Sequence, residues 1–381
     1  MLKRKIQQNI DSYLANGNYK ILFIWGPRRS GKTTILRELG VKLNAKVFNF
    51  DLISDREYFE PRREILDKLV KDNPIILIDE VQSFPESTLS LKVLFDEYKV
   101  KIIATGSSEL RKKTSDFDSL ADRYQEIFCL PISSEEAVQN SGVKAFEQDQ
   151  FLKSLQQTQQ IFGSYPEIYT NTNDRERIDN LQIMLDTYVL KDVIDIYNLK
   201  DLSLAKNILK KIALQLGSEV SLREIASSLQ SNVATVSNYI EIFIKNYILI
   251  QLPSFKTNLR RAVSENRKLY FFDLGIRNAL IHDFRDLESR QDKGAVFENF
   301  IISEVEKRKR IEKLHLNLYF YREYDGREVD LVIEDYKKKY SCFEVKSKQE
   351  RINKVFPIEH QLELIEPRNY FDKIYSINPK I

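Results

Sequence analysis

Gly26-Pro-Arg-Arg-Ser-Gly-Lys-Thr33, GPRRSGKT, is the stretch that decides the fold. It follows the apolar run ILFIW (21–25) and precedes a helical pattern that begins at Thr33, so it reads as strand, loop, helix. Each residue type has a physical reason. Gly26 and Gly31 let the backbone come close to an oligophosphate. Successive N–H groups and the positive end of the following helix then face the anion. Lys32 places a point charge on the β- and γ-phosphates, and the Thr33 hydroxyl takes one Mg²⁺ position. The expected phosphate cradle is Gly26, Pro27, Arg28, Arg29, Ser30, Gly31, Lys32, Thr33 and Thr34.

Outward from this loop, KVFNFD (46–51), PIILIDE (74–80) and KIIATGSS (101–108) read as further strands separated by helical spacing. A continuous apolar run such as IILID suits a strand covered on both faces. Strands alternating with helices predict a parallel, doubly wound sheet. Asp79 and Glu80 fall at the carboxyl end of their strand, the edge at which open α/β sheets bind ligands. Asp79 is expected to hold Mg²⁺ through water, and Glu80 to polarise the attacking water. Thr105 or Ser107 is placed to sense a γ-phosphate, the alternative being helix capping by Ser107 or Ser108. Arg123, in LADRY after the last core segment, is either an arginine finger, toward its own nucleotide or a neighbour's, or a solvated surface residue.

From 134 to about 215 the spacing is helical. The stretch 221–252 then gives a short helix ending near Gln230, a polar turn, a helix from Val233 and the strand ILIQL; a basic loop and the strand LYFFD follow. Helix, turn, helix, strand, loop, strand is a winged-helix order. Its second helix would offer Thr235, Ser237, Asn238 and Lys245 to a major groove. Its wing would offer Lys256, Arg260, Arg261, Arg267 and Lys268 to phosphates. A domain used only for packing or protein contacts is the alternative. Phe272 and Asp273 are expected to dock the wing onto the next domain.

Beyond 294 a helix precedes three strand-like segments, LHLNLYFYRE, REVDLVIED and YSCFEVKSK. Glu298 on the helix, Asp330 in a strand, then Glu344 and Lys346 two apart on the next strand follow the order of the PD-(D/E)xK nuclease core. Residues two apart on a strand point to one face. Asp330 and Glu344 are therefore expected to share a Mg²⁺, with Glu298 completing its shell and Lys346 orienting or deprotonating the water. A structural core with surface charges is the competing reading.

GPRRSGKTTIL, IILIDEVQ, IIATGSS, LADRY…LPIS and GSYPEIY (163–169), in this order, resemble the prokaryotic AAA-type ATPases that carry a C-terminal domain of unknown function with a restriction-endonuclease-like core. The resemblance spans nearly the whole chain and implies a P-loop module of the additional-strand type. The family pattern usually has Gly where this chain has Asp122, a departure that weakens the transfer of a role to Arg123.

The expected fold is therefore α/β. A P-loop NTPase parallel sheet (1–135) is followed by a helical lid or linker (136–200), a winged-helix domain (201–275) and a restriction-endonuclease-like α/β core (276–381). A length of 381 residues calls for several domains. The expected function is ATP binding and hydrolysis, with the nucleotide state controlling a winged-helix and nuclease-like module that acts on DNA. The competing function is a signalling-type ATPase switch whose nuclease-like domain is inactive and mediates protein interactions. A nucleotide kinase is a weaker third reading, since no second substrate-binding motif is present. Expected cofactors are ATP and Mg²⁺. Expected partners are ATP and ADP, with DNA, a homo-oligomer or another protein left open, and no membrane.

The net charge of +3 neither requires nor excludes nucleic acid. Cys129 and Cys342 lie too far apart in sequence for a metal or disulfide pattern. His282, His315 and His360 form no ligand spacing. No stretch approaches the length of a membrane span, and MLKRKIQQNIDSYL lacks the apolar run of a signal peptide. A cytoplasmic setting is the expectation.

Overall fold

The computed structural model describes residues 2–107, 120–192, 201–256, 267–323, 325–347 and 355–377. The chain divides into two compact units, Met1–Pro131 and Ile132–Ile381.

The first unit runs α1 (Ile6–Ala15), β1 (Ile21–Trp25), α2 (Lys32–Leu43), β2 (Val47–Asn49), α3 (Arg63–Asp72), β3 (Ile75–Asp79), α4 (Ser87–Val93), β4 (Lys101–Gly106) and β5 (Tyr124–Phe128). Its five strands lie in the order β2-β3-β4-β1-β5, every pair parallel. β1 is buried along its whole length, which is why it reads as an unbroken apolar run. Alternate residues serve opposite faces. Ile21, Phe23 and Trp25 join Phe48, Phe50, Phe59 and Leu66 on one side. Leu22 and Ile24 join Ile35, Leu36 and Leu77 on the other, with Ile6, Ile10 and Tyr13 of α1. β4 separates β1 from β3, so the strand feeding the phosphate loop and the strand ending in Asp79 are not neighbours. That is the additional-strand arrangement.

LADRY therefore does not follow the last core segment: β5 begins one residue after Arg123 and pairs along β1, Ile21 opposite Tyr124. As an outer strand, YQEIF carries polar residues and buries only Ile127 fully, so no apolar run marks it. Asp122, where the family pattern has Gly, lies at φ 64°. This left-handed conformation is one that glycine adopts without cost.

The second unit begins with α5 (Ser134–Ser141), whose capping box joins Ser133 and Glu136. α6 (Gln148–Phe162), α7 (Asp174–Met184) and α8 (Leu202–Leu214) follow. α9 (Leu222–Ser228) and α10 (Val233–Lys245) are capped by Ser221 and Asn232. β6 (Leu249–Pro253) and β7 (Arg267–Phe271) pair antiparallel, Ile250 opposite Tyr270. Then come α11 (Leu274–Ile281), α12 (Lys293–Ile311), β8 (Asn317–Arg322), β9 (Glu328–Glu334), β10 (Tyr340–Val345), β11 (His360–Ile365) and α13 (Tyr370–Ser376).

β8, β9 and β10 form an antiparallel meander, and β11 adds to β10 in parallel. The fourth strand, HQLELI, alternates polar and apolar residues at the sheet edge, and only Ile365 in it is fully buried. The β6–β7 hairpin is joined to this second sheet. Ser254 bridges Phe320, the Phe255 N–H donates to the Phe320 carbonyl at 2.7 Å, and the Phe255 ring packs among Tyr319, Tyr340 and Phe356.

Asp273 has a different role from the one expected. It caps α11 and accepts from the backbone and hydroxyl of Ser164, at 2.7 and 3.2 Å. A Cβ on Gly163 would lie 2.0 Å from Asp273 Oδ1, so the GSYP turn can close on this carboxylate only with glycine there. Phe272, fully buried, packs edge-on against Tyr247.

Candidate functional site

The phosphate loop is held at the carboxyl edge of the first sheet. A Cβ at Gly26 would fall 1.9 Å from the Cys129 carbonyl oxygen, so only glycine permits the chain to pass there. The Lys32 side chain is buried and donates to the carbonyls of Gly26 and Pro27, at 2.8 and 2.7 Å. Burial pushes its ammonium below the ordinary lysine range, and Glu80 and Asp79 only partly counter this. The cation is thus short of negative charge.

Thr33 Oγ1 donates to Asp79 Oδ1 at 3.2 Å, and Thr105 Oγ1 donates to the same oxygen. Residues from α2, β3 and β4 therefore meet at one point. Two buried hydroxyls nearby in the fold, Ser30 Oγ of the loop and Ser107 Oγ at the end of β4, have no hydrogen-bond partner among the described residues. Orphaned buried donors in a loop of this type fit an absent polyanion with its cation. Thr33 and Asp79 supply the hard oxygen donors that Mg²⁺ takes.

Glu80 sits at φ 54°, ψ 49°, a left-handed conformation uncommon for a residue with a side chain. Its carboxylate accepts from the Gln82 amide, whose Oε1 in turn accepts from the Ser107 N–H at 3.2 Å. Its own N–H points at Thr105 Oγ1, 3.4 Å away. Gln82 thus ties the strand end that bears Glu80 to the end of β4. Ser108 lies outside the described residues.

Arg4 is a second residue that sequence reading passed over. It is 6% exposed, and its guanidinium donates to the carbonyls of Ser30, at 2.8 Å, and Leu130. Arg123 is placed far from the phosphate loop. It precedes β5 at the amino edge of the sheet, and its backbone carbonyl accepts from the Ile21 N–H. Five strand residues separate that edge from the loop, about 16 Å at the rise of a strand. Its guanidinium pairs with Asp96 at 2.9 Å. A finger role toward its own nucleotide is thereby ruled out.

The second unit gathers Glu298 of α12 with Glu328 and Asp330 of β9. One oxygen from each lies within 4.8 Å of the others. Glu328 was not among the expected ligands. Glu344 and Lys346 do share a face, their charged atoms 3.0 Å apart, and Lys346 also reaches Asp330 at 3.3 Å. Asp330 Oδ2 accepts from the Val345 N–H at 2.8 Å. Burial opposes the Lys346 charge, but Asp330 and Glu344 outweigh it and hold the ammonium above its ordinary range. Burial and the neighbouring Asp330 raise the Glu344 carboxyl.

Lys268 corrects an expectation. Far from facing a nucleic-acid backbone, it is 2% exposed. Its ammonium lies 3.0 Å from Glu298 Oε1 and is bonded to Glu328. Tyr270, two residues along the same strand, donates to Glu298 Oε1 at 2.5 Å. The oxygen donors present suit a hard cation, but two of the three already serve an ammonium, so in this form they do not fit a metal ion.

Of the other expected groove and wing residues, Thr235, Ser237 and Asn238 are partly or fully exposed on α10. Lys245 pairs with Glu241 at 3.7 Å. Lys256 and Arg267 are partly exposed. Arg260 and Arg261 lie outside the described residues.

Three family models match the chain. Residues 18–138 match one described as an AAA domain, 154–288 match a domain of unknown function (DUF8612), and 293–364 match another (DUF4143). With the loop and the strand order, the first match makes the amino-terminal unit an AAA-type P-loop ATPase domain.

The chain is similar to two uncharacterized proteins of Methanocaldococcus jannaschii. One is 27% identical over 334 residues, covering 82% of this chain and 72% of that protein. The other is 22% identical over 312 residues, covering 73% and 66%. Among solved structures it is similar to the Aeropyrum pernix ORC1 protein in complex with DNA, at 15% identity and a TM-score of 0.31 over 74% of this chain and 93% of that one. The Thermotoga maritima RuvB Holliday junction branch migration motor gives 15% and 0.31 over 66% and 90%. The loop and the strand order, not these superpositions, define the fold. Among the described residues no helix is long and apolar enough to cross a membrane.

Proposed function

We propose that the protein hydrolyses ATP with Mg²⁺, and that its nucleotide state controls a winged-helix segment (201–275) and a restriction-endonuclease-like core (276–381) that act on DNA. The observation that carries the ATPase reading is the convergence of Thr33, Asp79 and Thr105 across the strand tips from Lys32. The backbone N–H groups of the loop, Pro27 having none, bind the phosphates, and Lys32 exchanges its two carbonyl partners for β- and γ-oxygens. Thr33 and Asp79 would hold the Mg²⁺, which would supply neutralisation of charge on the phosphates. Glu80 takes the proton of the attacking water, positioned by Gln82. The residues 136–200 serve as a lid or linker. In support of the second module stand the order helix, turn, helix, hairpin and the convergence of Glu298 and Asp330.

A second reading is favoured by a specific observation. Lys268 neutralises the carboxylates on which cleavage would depend, as expected of a switch whose nuclease-like domain is inert and binds protein. Phosphate release from ATP, measured with and without DNA, tests the ATPase, and a plasmid-nicking assay in Mg²⁺ and Mn²⁺ tests the module. ATP turnover stimulated by DNA, with nicking, supports the first reading. Turnover indifferent to DNA, without nicking, supports the switch. No turnover removes both.

A further inference from the structure

We infer that the Lys268 ammonium is a built-in cation seated on the carboxylates of Glu298 and Glu328, and that a divalent cation enters the Glu298–Glu328–Asp330 set only by displacing it. The inference rests on reading this set as a cation site, and deepens that reading by naming what competes for it.

Lys268 is positioned by backbone as well as by charge. It lies on β7 opposite Leu252, and Glu219 forms a bridge to it from the other side. Its side chain passes over the Phe320 ring, 5.4 Å from the ring centre. The ammonium therefore reaches the carboxylates from a paired strand rather than from a free loop. Tyr270, on the same face of the strand, adds a hydroxyl to the same Glu298 oxygen.

Yet the lysines do not complete the site. Among the described residues four carboxylates, Glu298, Glu328, Asp330 and Glu344, lie around two ammoniums, Lys268 and Lys346, and burial raises the carboxyls of Glu298 and Glu344 above their ordinary range. Arg322 approaches Glu328 at 3.6 Å but is shared with Glu219 at 3.2 Å, so its charge is matched elsewhere. Glu344 is 3% exposed, and its Oε1 has no hydrogen-bond partner among the described residues. A buried carboxylate oxygen without a donor is costly, and a proton or a cation relieves it. What bars a divalent ion from this set is the ammonium on two of its three ligands.

Mn²⁺ binding to the full chain without nucleotide, followed by calorimetry, tests this, with Mn²⁺-dependent thermal unfolding and plasmid nicking measured alongside. Lys268→Met should bind Mn²⁺ at least about tenfold tighter than the unaltered chain, and Lys268→Met with Glu328→Gln should lose that gain. If Lys268→Met does not fold alone, Mn²⁺ should restore a cooperative transition to it and not to the double variant. Equal Mn²⁺ affinity with and without Lys268 overturns the inference, as does a gain that survives Glu328→Gln, or a variant that stays unfolded with Mn²⁺. Tighter binding without nicking keeps the inference and removes the nuclease reading. Nicking by the unaltered chain, at an Mn²⁺ affinity that Lys268→Met does not improve, does the reverse.

Discussion

Lys32 and Lys268 are both buried lysines beside carboxylates, and their environments move them in opposite directions. Burial lowers Lys32 because its direct partners are two neutral carbonyls. Burial also opposes the charge of Lys268, but Glu298 and Glu328 outweigh it, and its ammonium is held above the ordinary range. A lysine resting on carbonyls gains a charged partner when a phosphate replaces them. A lysine already on two carboxylates has nothing to gain from an anion and stands in the way of a cation. The first lysine marks a site built to be filled by a ligand. The second marks one that the protein has partly filled from its own chain.

The largest expected effect tests the first half of that contrast. Lys32→Ala removes the charge from both phosphates and should weaken ATP binding about a thousandfold, as expected for two lost charge-assisted bonds. Calorimetry with ATP and Mg²⁺ reads this directly, and an affinity within threefold of the unaltered chain would sink the site. Glu80→Gln should leave affinity nearly unchanged and slow phosphate release about a hundredfold or more, the ordinary contribution of a general base. Turnover at the normal rate would move the water-activating role elsewhere.

Lys346→Met probes the other half. It leaves Asp330 and Glu344 buried without their shared cation and should cost about 2 kcal/mol of stability, a buried-pair penalty discounted for the partial exposure of Lys346. Thermal unfolding measures this, and ATP affinity should stay where it was. A variant as stable as its parent would show that the second set of charges is not held together by its lysines.

How much of this was legible in the sequence follows from the same distinction between self-contained and fold-dependent features. ILFIW, GPRRSGKT and IILID were readable because a strand buried on both faces is a continuous apolar run and a phosphate loop needs its glycines at fixed spacing. Glu344 and Lys346 were readable as neighbours because a strand repeats every two residues. YQEIF and HQLELI were not, since outer strands carry polar residues that break the run. Glu328 escaped because only the folded arrangement of β9 and α12 brings its carboxylate to Glu298. Lys268 was misread because a cation near a polar, basic stretch looks solvated until its strand register is known. Gln82, the last residue of IILIDEVQ, lies beyond the strand tip with no spacing that marks its role, and Arg4 acts on the phosphate site from outside the motifs, ahead of α1.

Arg4 carries the smallest effect and the sharpest test of whether the loop is preformed. Its guanidinium holds the Ser30 carbonyl while also binding that of Leu130, so it fixes the middle of the phosphate loop to the chain that leaves β5. What it holds here at Ser30 and Leu130 are carbonyls, not the loop N–H groups that would face a nucleotide. Arg4→Ala should therefore loosen the cradle without altering the chemistry of Glu80. The loss of one charge-assisted bond to the loop predicts a rise of about tenfold in KM for ATP, near 1.4 kcal/mol, with kcat within about twofold. Arg4→Lys keeps the charge but not the forked geometry, and should recover only part of that loss. If KM stays fixed while the melting temperature falls, Arg4 supports the fold alone, and the loop at 26–33 holds its shape without it.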